Sequence, residues 1–236
     1  EIKTFSNIDV DKFAIELTED IPDGIREGDA LENLTWTPDF TVRNTWFGSC
    51  RARSLLVSTS GKVVVEHNDF ISSGAAIGIT GDASNWYESG AVRDVLIRGN
   101  RFHPHCMTNK HGSGEGIISI SPVIPDPDPD HPFHRNIRII NNVFDVFDYS
   151  VLFAFSVEGV KFNKNTIKHN TQYKPWLGRK AMLTFIACKA VEVKGNLIAP
   201  DVLGKNLNIR DINLAQIDIE TGQDIELEQN NLANQA

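Results

Sequence analysis

With 236 residues, 41% of them apolar and 23% charged, the chain has material for one large domain with a substantial core or for two small ones. No apolar run approaches the roughly 18 residues of a membrane span, and EIKTFSNIDV has neither the basic flank nor the apolar stretch of a signal peptide. A net charge of -8 argues against a phosphate-binding surface and so against nucleic acid as a partner, while three scattered cysteines without CxxC spacing indicate neither a disulfide framework nor a zinc site. Cys50, Cys106 and Cys188 are expected to be buried small apolar residues.

Residues 1–38 stand apart from the rest of the chain. VDKFAIELTED and REGDALENLTW read as strands of a small β cap or flanking element, and a second domain is expected over 39–236. From Phe40 onward one pattern recurs: apolar, any, apolar, two of any, Asn, any, apolar. FTVRNTWF, with Thr45 at the Asn position, is succeeded by KVVVEHNDF, DVLIRGNRF, NIRIINNVF, GVKFNKNTI, AVEVKGNLI and DIELEQNNL. The copies begin at Phe40, Val63, Val95, Ile137, Val160, Val191 and Ile225, and the shortest spacing, 23 residues, suits one turn of a parallel β-solenoid with loops inserted in the longer turns. The expected fold is therefore all-β, a right-handed parallel β-helix of about seven coils. Asn suits a solenoid corner because it tolerates the left-handed conformation and because amides stacked one strand spacing apart can bond from coil to coil.

Between the copies lie RSLLVST, AAIGIT, GIISIS, SVLFAFS and AMLTFIA, the strands of a second sheet. Aligned at the turn after each strand, Leu56, Ile77, Ile118 and Phe153 form one inward column and Ser58, Ile79, Ile120 and Phe155 another. Val57, Gly78, Ser119 and Ala154 then face outward, with Thr59, Thr80, Ser121 and Ser156 beside them, as a shallow floor of small residues.

Loops at the two ends of this sheet gather the chemistry. Before it come Arg51 and Arg53 in CRARS, Glu115 in GSGEG, and Asp148 and Tyr149 in VFDYS, then Arg179 and Lys180; after it come Asp82 and Glu88 in GDASNWYESGAVRD, and the aspartates of PDPDPD. A strand of about six residues would hold the two ends about 20 Å apart. Glycoside hydrolysis needs carboxyl groups about 5–5.5 Å apart for retention or about 6.5–9.5 Å for inversion. Asp82 with Glu88 is then the simplest close pair. Glu115 with Asp148 is the rival, and a third arrangement folds the long loop back to set Glu88 opposite Glu115. Trp86 and Tyr87 suit the apolar face of a sugar, and Arg51 and Arg53 suit hydroxyls or anions. Asp82 also fits a plain Asx-turn. HPH and PDPDPD lack a diagnostic ligand set, so no metal or other cofactor is expected.

GDALENLTWTPDFTVRNTWFGSCRARSLLVSTSGKVVVEHNDF, GITGDASNWYESGAVRDVLIRGNRF and, more weakly, VFDYSVLFAFSVEGVKFNKNTI resemble the β-helical α-1,3-galactosidases of glycoside hydrolase family 110. The resemblance implies a metal-independent, inverting exo-hydrolase that removes terminal α-linked galactose from glycans and is secreted or periplasmic. It places Arg51, Arg53, Asp82, Trp86, Tyr87 and Glu88 on motif positions. The resulting expectation is Glu88, Asp82 and Glu115 for acid or base work, with Arg51, Arg53, Trp86, Tyr87 and Asp148 holding sugar. Family members also carry an adjacent Asp-Asp pair on an earlier coil, and this chain has none. With no initiator Met, that leads to the expectation of a C-terminal portion of a longer enzyme. A non-catalytic glycan-binding or structural β-helix and a polysaccharide lyase are the alternatives; the sequence carries no signal of oligomeric state.

Overall fold

The computed structural model describes residues 1–88, 90–109, 114–148, 150–178, 181–202, 204–220 and 225–228. It divides into two compact units, Glu1–Glu32 and Asn33–Ala236. In the first, strands Ile2–Asp9 and Lys12–Leu17 pair antiparallel, and Phe5 stacks on Phe13 with ring centroids 4.7 Å apart. The strand expected in REGDALENLTW does not form. Local side-chain bonds hold that stretch in turns instead: Asp29 accepts the Arg26 N–H at 2.7 Å, and Asn33 accepts the Thr35 N–H at 2.9 Å ahead of a 3-10 turn at Leu34–Trp36.

The second unit is all-β and builds three parallel sheets in step, because successive repeats add one strand to each in turn. Sheet I holds Phe40–Arg43, Lys62–Glu66, Asp94–Arg98, His134–Ile140, Val157–Asn163, Val191–Lys194 and Ile217–Ile219. Sheet II holds the short strands Trp46–Gly48, Asp69–Ile71, Arg101–Phe102, Val143–Val146, Thr166–His169 and Leu197–Ile198. Sheet III, the one expected between the copies, runs through Arg53–Val57, Ala75–Ile79, Ile118–Ile120, Leu152–Phe155, Ala181–Ile186, Lys205–Arg210 and Ile225–Glu228. Among the described residues no helix is long and apolar enough to cross a membrane.

The repeat register is as expected from Phe40 to Val193: Phe40 pairs with Val63, Val63 with Val95, Val95 with Ile137, and Ile137 with Val160. The last copy is misplaced. Ile217, not Ile225, pairs with Val191 in sheet I, and Ile225 pairs with Leu207 in sheet III. QIDIE has the same apolar alternation as IELE but no Asn after it, which hid it; Asn230 lies outside the described residues.

Each recurrent Asn ends its strand and turns the chain into sheet II, a layer that the repeat pattern alone does not separate from sheet I. The amides form a buried row. Asn68 Nδ2 donates to Asn100 Oδ1 at 3.0 Å, Asn100 to Asn142 at 3.0 Å, Asn142 to Asn165 at 3.1 Å, and Asn165 to Asn196 at 3.2 Å. Every one of these oxygens also accepts the backbone N–H of the Asn before it, and each Nδ2 also donates to a strand carbonyl of the previous coil. The left-handed residue is not the Asn but its predecessor: Asn44, His67, Gly99, Asn141, Lys164 and Gly195 all have φ between 52° and 64°. One step later the chain returns to extended geometry, and the amide is free to point into the corner. Behind it, Phe47, Phe70, Phe102 and Phe144 stack at 4.8, 5.0 and 4.6 Å, filling the core under sheet II.

In sheet III the observed register corrects the expected columns. Leu55, Ile77, Ile118, Leu152, Leu183 and Leu207 form one inward row, and Val57, Ile79, Ile120, Ala154, Phe185 and Ile209 the other. Leu56, Gly78, Ser119, Phe153, Thr184 and Asn208 face out. RSLLVST and SVLFAFS contain unbroken apolar runs, whose in-out parity a two-residue period cannot fix. Cys106 and Cys188 are buried, as expected, with their thiols pushed up to about 12 by desolvation; Cys50 is only half-buried.

Candidate active site on sheet III

The outer face of sheet III is crossed by one long side chain. Arg53 pairs in register with Ala75, yet its Cδ lies only 3.2 Å from where a Cβ on Gly78 would sit, three residues further along. Leu56 Cδ1 is at 3.5 Å from the same point. Glycine at 78 thus leaves the channel along which the Arg53 stem runs. Next to it in register stands Ser119, whose Oγ accepts the Glu115 N–H at 3.2 Å and lies 3.5 Å from Ser121 Oγ. The Glu115 carbonyl in turn accepts the Ser150 hydroxyl, so the backbone at Glu115 is fastened to two coils while its side chain is exposed.

From the other end comes the loop after Ile79. Thr80 Oγ1 donates to Glu88 Oε2 at 2.6 Å, and the Glu88 N–H donates to the Asp82 carbonyl at 2.8 Å. Two residues, about 7 Å, separate Thr80 from Gly78 along the strand. The separation of about 20 Å expected between the two loop groups is therefore narrowed from both ends: Arg53 reaches forward to Gly78, and Glu88 is drawn back onto Thr80 at the strand end. Trp86 and Tyr87 beside it are 77% and 85% exposed, with Tyr87 held at φ 52°.

The root of that loop is built by Asp82. It is 4% exposed, and its Oδ1 accepts the backbone N–H groups of Ser84 and Asn85 at 3.0 and 2.9 Å together with the Ser84 hydroxyl. These donors, led by the Asn85 N–H, hold its pKa below the usual carboxylate range. Phe133 packs beneath: a Cβ on Gly81 would meet its Cε1 at 2.7 Å. Asp148 has the same kind of work elsewhere. It is buried, and its Oδ2 accepts the N–H groups of Trp176 and Leu177 at 2.7 and 2.8 Å. The Trp176 indole donates to the Met107 carbonyl at 2.8 Å, so the loop after Asn170 is tied to two earlier coils.

The structure thus gathers Arg53, Glu88 and Glu115 on or beside one face and commits the carboxylates of Asp82 and Asp148 to loop backbones. Arg51 is exposed, and its carbonyl accepts from Ser73 and Asn109. Tyr149, Arg179 and Lys180 lie outside the described residues. Sequence reasoning missed the Thr80 hydroxyl as the seat of Glu88 and Trp176 as the partner of Asp148; neither contact has a local signature. Among the described residues no group of three or more His, Cys, Asp or Glu converges to hold a metal ion.

No family model matches the chain. It is 48% identical over 219 residues to the alpha-1,3-galactosidase B of Bacteroides thetaiotaomicron, a match that covers 93% of this chain and 36% of that protein. The alpha-1,3-galactosidase A of Bacteroides fragilis is 36% identical over 209 residues, covering 88% and 34%, and the alpha-1,3-galactosidase B of Akkermansia muciniphila is 38% identical over 201 residues, covering 84% and 25%. The chain spans about a third of the length of these curated relatives. By these matches the chain belongs with the alpha-1,3-galactosidases A and B, as a stretch shorter than the proteins it matches.

Proposed function

We propose that the second unit is a right-handed parallel β-helix whose sheet III carries the site of a glycoside hydrolase, releasing terminal α-1,3-linked galactose from oligosaccharides. The observation that carries this reading is that Arg53 runs over Gly78 and Glu88 is seated on Thr80, two residues further along the same strand end, in a chain 48% identical to an alpha-1,3-galactosidase across 93% of its length. A guanidinium and a carboxylate carried beside a rigid sheet suit the hydroxyl groups of a sugar, and Trp86 and Tyr87 offer faces for its apolar side. In an inverting reaction one carboxylic acid protonates the leaving oxygen while a carboxylate removes a proton from the attacking water. Glu88 and Glu115 are our choice for this pair. Asp82, held ionised by donors from Ser84 and Asn85, is a poor proton donor and serves to set the loop. Residues 1–38 act as a flanking β element, and the protein works outside the cytoplasm.

The test is release of galactose from an α-1,3-linked galactosyl disaccharide, with NMR of the first-formed anomer. Glu88→Gln is expected to lower kcat at least about a hundredfold with the fold kept. Unchanged turnover in Glu88→Gln removes Glu88 from the chemistry. A second reading is favoured by the engagement of Asp82 and Asp148: a glycan-binding β-helix that does not hydrolyse. It predicts saturable binding of the disaccharide with no galactose released.

A further inference from the structure

Sheet II carries a second feature that suits a sugar, on a different sheet from Arg53 and Glu88. Trp46 is 61% exposed, although it lies within a strand. Its indole folds down over Gly48, where a Cβ would meet Nε1 at 2.8 Å, so the absence of a side chain at 48 creates its seat. The His103 ring braces it at 5.6 Å, and His103 Nε2 is held by Asp69 Oδ1 at 2.8 Å. Asp69 pairs directly with Trp46, and Arg101 with Asp69, one strand spacing apart each. Asp69 keeps 44% of its side chain exposed, and Arg101 keeps 57% while Asp145 pins its guanidinium at 3.0 Å.

We infer that Trp46, Asp69 and Arg101 form a second glycan-binding subsite that takes one hexopyranose residue. The row offers an aromatic surface, then an acceptor, then a donor, at steps of about 5 Å, close to the width of a pyranose ring. A ring stacked on the indole directs hydroxyls to the Asp69 carboxylate, and the next hydroxyl outward meets the Arg101 guanidinium. All three side chains stand on strands and are braced by neighbours, so little order is lost on binding. The subsite would hold a branch of a glycan without cleaving it, its carboxylate being engaged by the His103 ring.

The experiment is a titration of galactosyl-α-1,3-galactose into the unaltered chain and into three variants, monitored by calorimetry and by the indole resonances in NMR. Trp46→Ala is expected to remove one class of binding, which Gly78→Val on sheet III leaves in place. Gly48→Val, which dislodges the indole without deleting it, should weaken the same class about tenfold. Binding that survives both Trp46→Ala and Gly48→Val undiminished overturns the proposal. Failure of the sheet III reading looks different: no turnover, with the Trp46 class of binding kept.

Discussion

Asn142 sits in the middle of the amide row, and its removal is the sharpest test of what holds the coils in register. Its Nδ2 donates to Ile97 O at 3.0 Å and to Asn165 Oδ1 at 3.1 Å, while its Oδ1 accepts the Asn100 N–H and the Asn100 Nδ2, both at 3.0 Å. Asn142→Ala breaks all four. The Asn100 side chain keeps Val65 O, and Asn165 Oδ1 keeps the Asn142 N–H. The Asn100 N–H and the Ile97 carbonyl, however, lose their side-chain partner in a corner that water does not reach. At about 1–3 kcal/mol for each of these two buried groups left unpaired, plus about 1 kcal/mol for the broken amide contacts, the cost is about 3–7 kcal/mol. Asn196, at the far end, makes three of the four bonds, to the Asn165 N–H, the Asn165 Nδ2 and the Phe162 carbonyl, but it is only part-buried and water can replace part of them, so Asn196→Ala should cost less than Asn142→Ala. Urea denaturation monitored by circular dichroism measures both. A cost below about 1 kcal/mol for Asn142→Ala, or equal costs at the two positions, would refute the view that buried amide stacking sets the register.

Two further outcomes concern groups away from that row. His134 is fully buried, accepts the Val92 N–H at Nδ1 and has its pKa pushed down to about 3 by desolvation, with the Arg93 charge adding to this. Its folded pKa lies below the unfolded value of about 6.5, so its contribution to stability is complete above that value and falls away as pH drops toward 3. The chain should lose about 2 kcal/mol from this group between pH 7 and pH 5, and His134→Gln should abolish that share of the slope; identical pH profiles for the two would sink the argument. Gly78→Val fills the channel under Arg53 and is expected to abolish galactoside binding on sheet III. A valine suits a strand, so stability should stay within about 1 kcal/mol; a melting curve beside the binding titration separates the two effects.

How much of the fold and the site is legible in the sequence depends on how local the cause is. The Asn row is legible because one corner geometry recurs at each coil and leaves the same residue there. The left-handed step before it is not, since His67, Asn141 and Lys164 share no side-chain type with Gly99 and Gly195. Sheet II escapes notice because strands of two to four residues are too short to show a period. The parity of sheet III is lost where Leu55, Leu56 and Val57 run together. At the site, residue types and loops are legible, whereas the reach of Arg53 over three residues and the seat of Glu88 on Thr80 depend on neighbours brought up by the coil. Asp82 fits both an Asx-turn and a catalytic candidate by sequence; in the fold its oxygens are engaged by Ser84 and Asn85.

The amide row has a direction: each side chain donates toward the next coil and accepts from the one before, so the dipoles add head to tail as peptide units do along a helix. Such a row tolerates no slack. An extra residue between strand and Asn would turn one amide out of line and weaken the bonds on both sides of it. Connections elsewhere in a coil escape this constraint, and intervals between neighbouring copies range from 23 residues upward. One corner therefore keeps time for the whole stack, which leaves the loops around sheet III at liberty to lengthen, fold back and take on chemistry.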